Sequence, residues 1–477
     1  MAVALLLSSP DSSYATLLNG HQSGSGRISC GPVPDRFTIL RLHPRGVGRA
    51  WTRGGVRNLA AHSGSIRWSS NNGARDRRTG VPGRGNQAGK TQARPVWKYV
   101  WRTWWVQVHL YLGLSVGALL VVFGVTGSIL VFFQEIDEWL NPVLLTVSVP
   151  STGSAPVRPL QDIVTAAQQA AKPGSRIVQL YGPRNRTGVF AVYAEHPSKA
   201  WQRIYVDPYR AAVTGVRSYA AYEWVPHYLM DVVFQLHFAL FLGENGLIIV
   251  ALGALLLLLS LISGVIVWWP LTGQWRQAFV LRWPSTPVRL NFDLHKTFSL
   301  YTCLVLGAVL LSGVWMNWND PFVWVVRLLS PATRGPEQAP VSIPLEGREP
   351  ITPAQALALA TARYPEGVLN SLVMPEDSTG IYLVGRKEVS GLSPFWSERT
   401  VSIDQYSGAI LDVREPATRR SAGETFADWQ WPLHSGQAFG LPGRLMVCLS
   451  GLACPVIYVT GVRMWWRKRS ARRMRPA

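Results

Sequence analysis

Four of the nine histidines in this 477-residue chain stand in a repeated register. His109 precedes Gly127 by 18 residues and His295 precedes Gly313 by 18, while His237 precedes Gly264 by 27 and His434 precedes Gly461 by 27. The match extends to Gly246 and Gly443, each 9 residues after its histidine, and to Trp268-Trp269 and Trp465-Trp466, 31 and 32 residues after. Each of the four lies at the edge of a long apolar run. An imidazole near a bilayer is costly unless it has a partner, so a duplicated set points to ligands for a cofactor.

The apolar runs must position them. Mean hydropathy is +0.11 and 48% of residues are hydrophobic, too apolar for an ordinary soluble protein. The apolar residues are concentrated in stretches near the roughly 20 residues that a bilayer core requires. The expected fold is an α-helical integral membrane protein with four transmembrane helices in two tandem parallel repeats. Helix 1 falls within 97–139, an interfacial helix with helix 2 within 227–269, helix 3 within 297–318, and an interfacial segment with helix 4 within 431–466. The loop 270–296 carries Arg276, Arg282, Arg289 and Lys296 against Asp293, and the tail 467–477 is basic without an acid. Positive flanks face the cytoplasm, which puts both termini inside and the long segments 140–226 and 319–430 outside. Each outer segment starts with an alanine-rich helix (Pro159 to Ala171; Pro353 to Tyr364). Short alternating runs follow, such as Val189–Ala194 and Ile381–Val384, and each segment closes on a similar turn, Asp207-Pro208-Tyr209 or Asp404-Gln405-Tyr406. The offset between halves is 186 at the first histidines and 197 from Asp207/Asp404 onward, as one duplication with small insertions would give.

Net charge of +20 suggests nucleic acid only when taken alone. Residues 1–94 hold 14 Lys and Arg against 3 acidic residues, so 14 − 3 = 11 of those charges lie outside the membrane body. The remainder cluster beside spans, where topology explains them, and nucleic-acid binding is set aside. Residues 1–94 show no helical or strand periodicity and are expected to form a disordered basic extension. No methionine follows Met1 until Met230, so that segment is also a candidate for a misassigned translation start. The cysteines Cys30, Cys303, Cys448 and Cys454 form no C-x-x-C, which removes the usual zinc, iron–sulfur and c-type haem attachment signals.

Across about residues 97–470 the chain resembles the PepSY-associated transmembrane-helix family of iron-regulated bacterial membrane proteins. The resemblance rests on His109-Leu110-Tyr111-Leu112-Gly113-Leu114, Gly124-Val125-Thr126-Gly127 and Leu140-Asn141-Pro142. It continues through Leu236-His237, Gly243-Glu244-Asn245-Gly246, Ser263-Gly264, Trp268-Trp269-Pro270 and Leu294-His295-Lys296. It ends with Leu433-His434-Ser435-Gly436 and Phe439-Gly440-Leu441-Pro442-Gly443. The resemblance implies an inner-membrane di-haem protein, some members acting as ferric-siderophore reductases, with the outer segments as PepSY-like α+β domains.

Two repeats of the same orientation relate by an axis along the membrane normal. That axis brings His109 to His295 on the cytoplasmic side and His237 to His434 on the outer side. Each pair then offers two imidazoles to one flat cofactor, which suits haem b, two in all. Zinc and copper want third and fourth ligands that these sites do not supply. A proton relay needs carboxylates at membrane depth, and none falls within the four spans as drawn. His237 and His434 precede glycine-rich breaks, read as a short helix turning before the span, with glycine allowing backbone to approach the macrocycle. Arg102, Lys296 and Arg444 are candidate propionate partners, and His227, Trp224, Trp429 and Trp431 candidate substrate-side residues.

The expected function is that of a haem-dependent membrane oxidoreductase: a transmembrane electron conduit ending on an external acceptor, ferric iron in a siderophore by resemblance. Reduction would loosen the chelate, because hard oxygen donors hold Fe(III) better than Fe(II). No nicotinamide or flavin module is visible, so the donor is a cytoplasmic reductase or quinol. The alternative is a non-enzymatic envelope regulator or binding protein, acting on a peptidase or on siderophore handling. Such a protein would not need the histidine quartet.

Overall fold

The computed structural model describes residues 96–150, 156–218, 224–270, 273, 275–332, 340–391, 393, 395, 397–416 and 421–474. The basic extension 1–94 lies outside the described residues. The chain begins with α1 (Val96–Leu130), α2 (Phe133–Leu140), α3 (Pro142–Leu145), α4 (Leu160–Ala170) and strands β1 (Arg176–Tyr181), β2 (Phe190–Glu195), β3 (Trp201–Val206) and β4 (Val213–Ser218). Helices α5 (Leu229–Ala239), α6 (Gly243–Trp268), α7 (Trp275–Phe279), α8 (Pro287–Asn317), α9 (Asn319–Arg327) and α10 (Pro353–Arg363) follow. The last elements are β5 (Val368–Val373), β6 (Ile381–Lys387), β7 (Glu398–Asp404), β8 (Ile410–Arg414), α11 (Ala422–Asp428), α12 (Gln430–Ser435) and α13 (Gly440–Arg473).

Helices α1, α6, α8 and α13 are long and apolar enough to cross a membrane. This is a helical membrane protein carrying a sheet region. Helix α8 packs along both α6 and α13. Helices α1 and α13 approach closely where small residues meet: Gly124 lies against Gly451 and Cys454, and Ser128 Oγ donates to Cys448 O at 2.8 Å. Cys454 is buried there, so it packs between helices as a small residue does.

Three boundaries differ from the sequence expectation. The first helix ends at Leu130, three residues before the Phe133 at which the apolar run closes. Arg444 donates to the freed Val131 carbonyl at 2.8 Å, and Glu135, Asp137 and Glu138 then occupy the separate helix α2. The loop placed at 270–296 is shorter, because α8 begins at Pro287. Thr286 caps its first turn by accepting from the Arg289 amide, and proline fills the first helical position, a start signal the apolar pattern overshadowed. Helix α13 continues through the basic tail to Arg473, since arginine and lysine are good helix formers.

Segments 140–226 and 319–430, expected as one domain per repeat, each contribute four strands to one antiparallel eight-stranded sheet in the order β4-β3-β2-β1-β5-β6-β7-β8. The join is β1 with β5, registering Gln179 with Val373, Leu180 with Leu372 and Tyr181 with Ser371. Pairing these strands removes two edges that would otherwise offer unsatisfied backbone groups. A shared core lies between the sheet and helices α4 and α10, with Ile163, Leu180, Val192, Ile204, Ala360 and Leu372 among its fully buried members. The matched turns are built alike: Asp207 Oδ1 accepts from the Tyr209 amide at 2.7 Å, and Asp404 Oδ1 from the Tyr406 amide at 2.9 Å.

Candidate functional site

The four repeated histidines meet as two pairs. The His109 and His295 ring centroids are 6.3 Å apart, and those of His237 and His434 are 6.2 Å apart. The first pair lies at the end of the bundle away from the sheet, between α1 and α8. The second lies at the sheet end, where α5 and α12 deliver it. Along α1 the seats of the two pairs are 18 residues apart, about 27 Å at a rise of 1.5 Å per residue.

Each imidazole is seated on a glycine of a neighbouring helix, and these are the glycines of the repeated register. A Cβ on Gly264 would stand 3.0 Å from His109 Cε1, and on Gly461 it would stand 3.1 Å from His295 Cε1. At the sheet end the corresponding distances are 3.1 Å from Gly127 to His237 and 3.6 Å from Gly313 to His434. The spacings are therefore reciprocal: α1 and α8 each carry a histidine of one pair and, 18 residues on, a seat for the other, while the 27-residue spacing runs from α5 into α6 and from α12 into α13. A Cβ on Gly246 or Gly443 would strike the Ala239 or Gly436 carbonyl, so both glycines close the turns that follow α5 and α12.

The helix that supplies each glycine also orients the ring. His109 Nδ1 lies 3.0 Å from Ser260 O and 3.1 Å from Ser263 Oγ, and His295 Nδ1 lies 2.8 Å from Ile457 O and 3.2 Å from Thr460 Oγ1. His434 Nδ1 lies 3.0 Å from Val309 O and 2.9 Å from Ser312 Oγ, while His237 Nδ1 lies 2.8 Å from Thr126 Oγ1. The four hydroxyl hydrogens are committed to helix carbonyls of Ser260, Val456, Ala308 and Val122 at 2.6–2.7 Å. Since these oxygens can only accept, each Nδ1 carries the proton and donates it. Each Nε2 keeps its lone pair, which is the tautomer a metal ligand needs.

An imidazole nitrogen bonds a metal at roughly 2.0 Å and its ring centre lies about 1.1 Å behind, so two imidazoles flanking one metal have centroids about 6.2 Å apart. Both pairs stand at that spacing. Among the described residues no group of three or more His, Cys, Asp or Glu side chains could hold a metal. A two-nitrogen donor set of this kind fits a metal whose remaining positions are filled by a flat macrocycle.

The sheet-end pair opens on a cavity of about 180 Å³ with an open mouth. Apolar residues line its depth, among them Leu120, Phe123, Leu306, Leu310 and Phe238. Its rim carries Glu135, Arg184 and Arg444. Arg444 Nη2 binds Glu135 Oε2 at 2.8 Å, and Arg184 reaches Glu135 at 3.4 Å and Glu138 at 3.5 Å. Burial alone would raise the Glu135 carboxyl, but the Arg444 hydrogen bond and both arginine charges outweigh it and hold the group below the usual range. Arg184 was not read from the sequence. It sits in the β1–β2 connection, and nothing in its local pattern marks it as reaching the bundle.

Of the other residues singled out by sequence, Arg444 and Trp431 line this cavity and Trp224 and Trp429 do not. Arg102 donates to Val267 O at 3.0 Å. Lys296 pairs with Asp293 at 3.2 Å and donates to Gln277 O and Val280 O, closing the loop before α8. Asp293 itself falls on α8 two residues before His295, and Arg289 and Lys296 neutralise it within one turn. His227 packs edge-on against Tyr228 at 4.5 Å. Burial, then the charge of Arg217, holds its imidazole below the ordinary range.

A buried ion cluster joins the sheet to the helix bearing His237. Arg217, 1% exposed, makes a two-pronged contact with Asp137 of α2 at 2.7 and 2.8 Å and approaches Asp231 of α5 at 3.6 Å. Arg203 completes it, 3.3 Å from Asp231 and 3.1 Å from the Tyr205 hydroxyl, which burial pushes up to about 12 and so keeps protonated.

The family model of the PepSY-associated TM region matches residues 106–468, taking in all four histidines, their glycine seats and the sheet. The chain belongs to that family. A search of curated proteins finds no match to this sequence. The match makes this PepSY-associated protein a membrane protein of that family, as its four apolar helices require.

Proposed function

We propose that this PepSY-associated protein carries electrons across the bacterial inner membrane through two b haems and delivers them to an extracytoplasmic acceptor, ferric iron in a siderophore. His109 with His295 hold one haem and His237 with His434 the other, each pair contributed by two duplicated, parallel halves. The reading rests chiefly on the histidine geometry: four imidazoles fixed in one tautomer, Nε2 available, in two pairs at metal-bridging separation. When bound, each haem would supply an iron that cycles between Fe(III) and Fe(II). The chain's part is to fix the rings, exclude water with apolar helices and offer Arg444 to a propionate. A basic far end, with Arg276, Arg282, Arg467, Lys468 and Arg469, supports a cytoplasmic placement for it and an outer placement for the sheet. A cytoplasmic reductase or quinol is the donor.

The glycine seats give a direct test. Gly264→Val and Gly461→Val push side chain into the His109 or His295 ring and are expected to remove the far-end haem spectrum while leaving the sheet-end one. Gly264→Ala, which needs the ring to give by only a few tenths of an ångström, is expected to keep both with a shifted potential. Separately, dithionite-reduced protein in vesicles should be reoxidised by a ferric hydroxamate or catecholate chelate added outside. Stopped-flow absorbance reads the rate, and no reoxidation by any ferric chelate would remove the siderophore from the reading.

A further inference from the structure

Helices α2 and α9 follow the ends of α1 and α8 after two residues and one residue respectively, and both are two-faced in the same register. Counting 186 residues between the halves, Asp137 corresponds to Val323, and both are buried against the protein. On the opposite face Trp139 corresponds to Val325 and Val143 of α3 to Leu329. These are exposed: Trp139 by 78%, Val143 by 86% and Leu329 by 87%, with Trp324, Val325 and Leu328 beside them. Large apolar side chains this bare are unfavourable in water, and tryptophan favours the boundary between headgroups and acyl chains. The patches continue directly from two membrane spans, so the surface that covers them is the one those spans cross.

We propose that α2 with α3, and α9, lie in the plane of the lipid headgroups as a paired collar at the sheet end of the bundle. The occupant of their exposed faces is the phospholipid bilayer, with Trp139, Val143, Trp324 and Leu329 seated at the acyl boundary. This sets a depth for the cavity as well. Phe133, Gln134 and Glu135 of α2 line it while Trp139, one turn on, faces lipid. The cavity rim with Arg184 and Arg444 therefore opens at the membrane surface, and whatever reaches the His237–His434 pair approaches along the headgroups. The inference needs only the four spans and the two-faced helices, and it stands apart from the identity of any cofactor.

Photo-crosslinking tests it. The full chain with p-benzoylphenylalanine at Val143 or Leu329 is reconstituted in vesicles of phosphatidylethanolamine and phosphatidylglycerol and irradiated. Both positions are expected to gain the mass of one phospholipid, whereas the same probe at Val368, an exposed residue at the start of β5, gains none. A crosslink to a second chain, or no adduct at either position, would overturn the proposal. Because Val143 and Leu329 project from the surface, folding is expected to survive, and size-exclusion elution at the parental volume checks it. A second reading uses Trp139→Asp with Trp324→Asp, expected to abolish quenching of sheet-end tryptophans by brominated lipid; unchanged quenching counts against the collar.

Discussion

His237→Ala is expected to lower haem content from two per chain to one. Only the sheet-end pair loses a ligand, and the far-end pair, about 27 Å away along α1, is beyond the range at which substitutions couple. His434→Ala should do the same, and the double variant should lose no more than either alone. His109→Ala and His295→Ala should remove the other haem, so that one variant from each pair together gives a haem-free chain. Pyridine haemochrome assay against protein concentration reads the ratio. A glycine at position 237 with added imidazole should recover the spectrum, because the cavity left by the ring is closed on one side by Gly127. Retention of both haems in the single variants would contradict the pairing.

The second large effect is on stability. Arg217→Met leaves the buried Asp137 without its two-pronged guanidinium and Asp231 with Arg203 alone, and breaking such a buried pair costs about 3–5 kcal/mol. Arg217→Lys keeps the charge but not the two-pronged fork, so its loss should be intermediate. Asp137→Asn combined with Arg217→Met removes charge from both sides and should recover part of the deficit. Thermal unfolding in detergent, followed by tryptophan fluorescence, ranks the variants. Asp231 lies six residues before His237 on the same short helix, so a weakened cluster should also broaden the sheet-end haem transition in a redox titration. Equal stability of Arg217→Met and the parent would show that the cluster carries no net load.

Much of this was legible in the sequence. The histidine quartet was, because a repeated spacing survives whatever the tertiary detail, and Gly127, Gly264, Gly313 and Gly461 were visible as partners in the count. Their purpose was not. Spacing along one helix does not reveal that Gly264 seats His109 from another, since that depends on helix packing. The hydroxyls that orient the rings, Thr126, Ser263, Ser312 and Thr460, looked like ordinary small polar residues in apolar runs. The spans were legible from hydropathy, yet their ends were set by local chemistry: the Thr286-Pro287 cap and the Arg444 bond to Val131. Strands and outer helices were placed from alternation and alanine content, but the β1–β5 join depends on two edges 192 residues apart, which no periodicity encodes. The Asp137–Arg217–Asp231 cluster was missed for the same reason: its members come from three elements and each alone reads as a surface charge.

On the proposed function each imidazole pair holds one haem. Dithionite-reduced minus oxidised absorbance of the purified protein, produced in haem-replete cells, tests it most directly. The expected result is a sharp Soret and α-band pair of b type, six-coordinate and low-spin in both oxidation states, with two haems per chain. A colourless protein with intact fold, or a high-spin spectrum with an open axial position, would contradict the account.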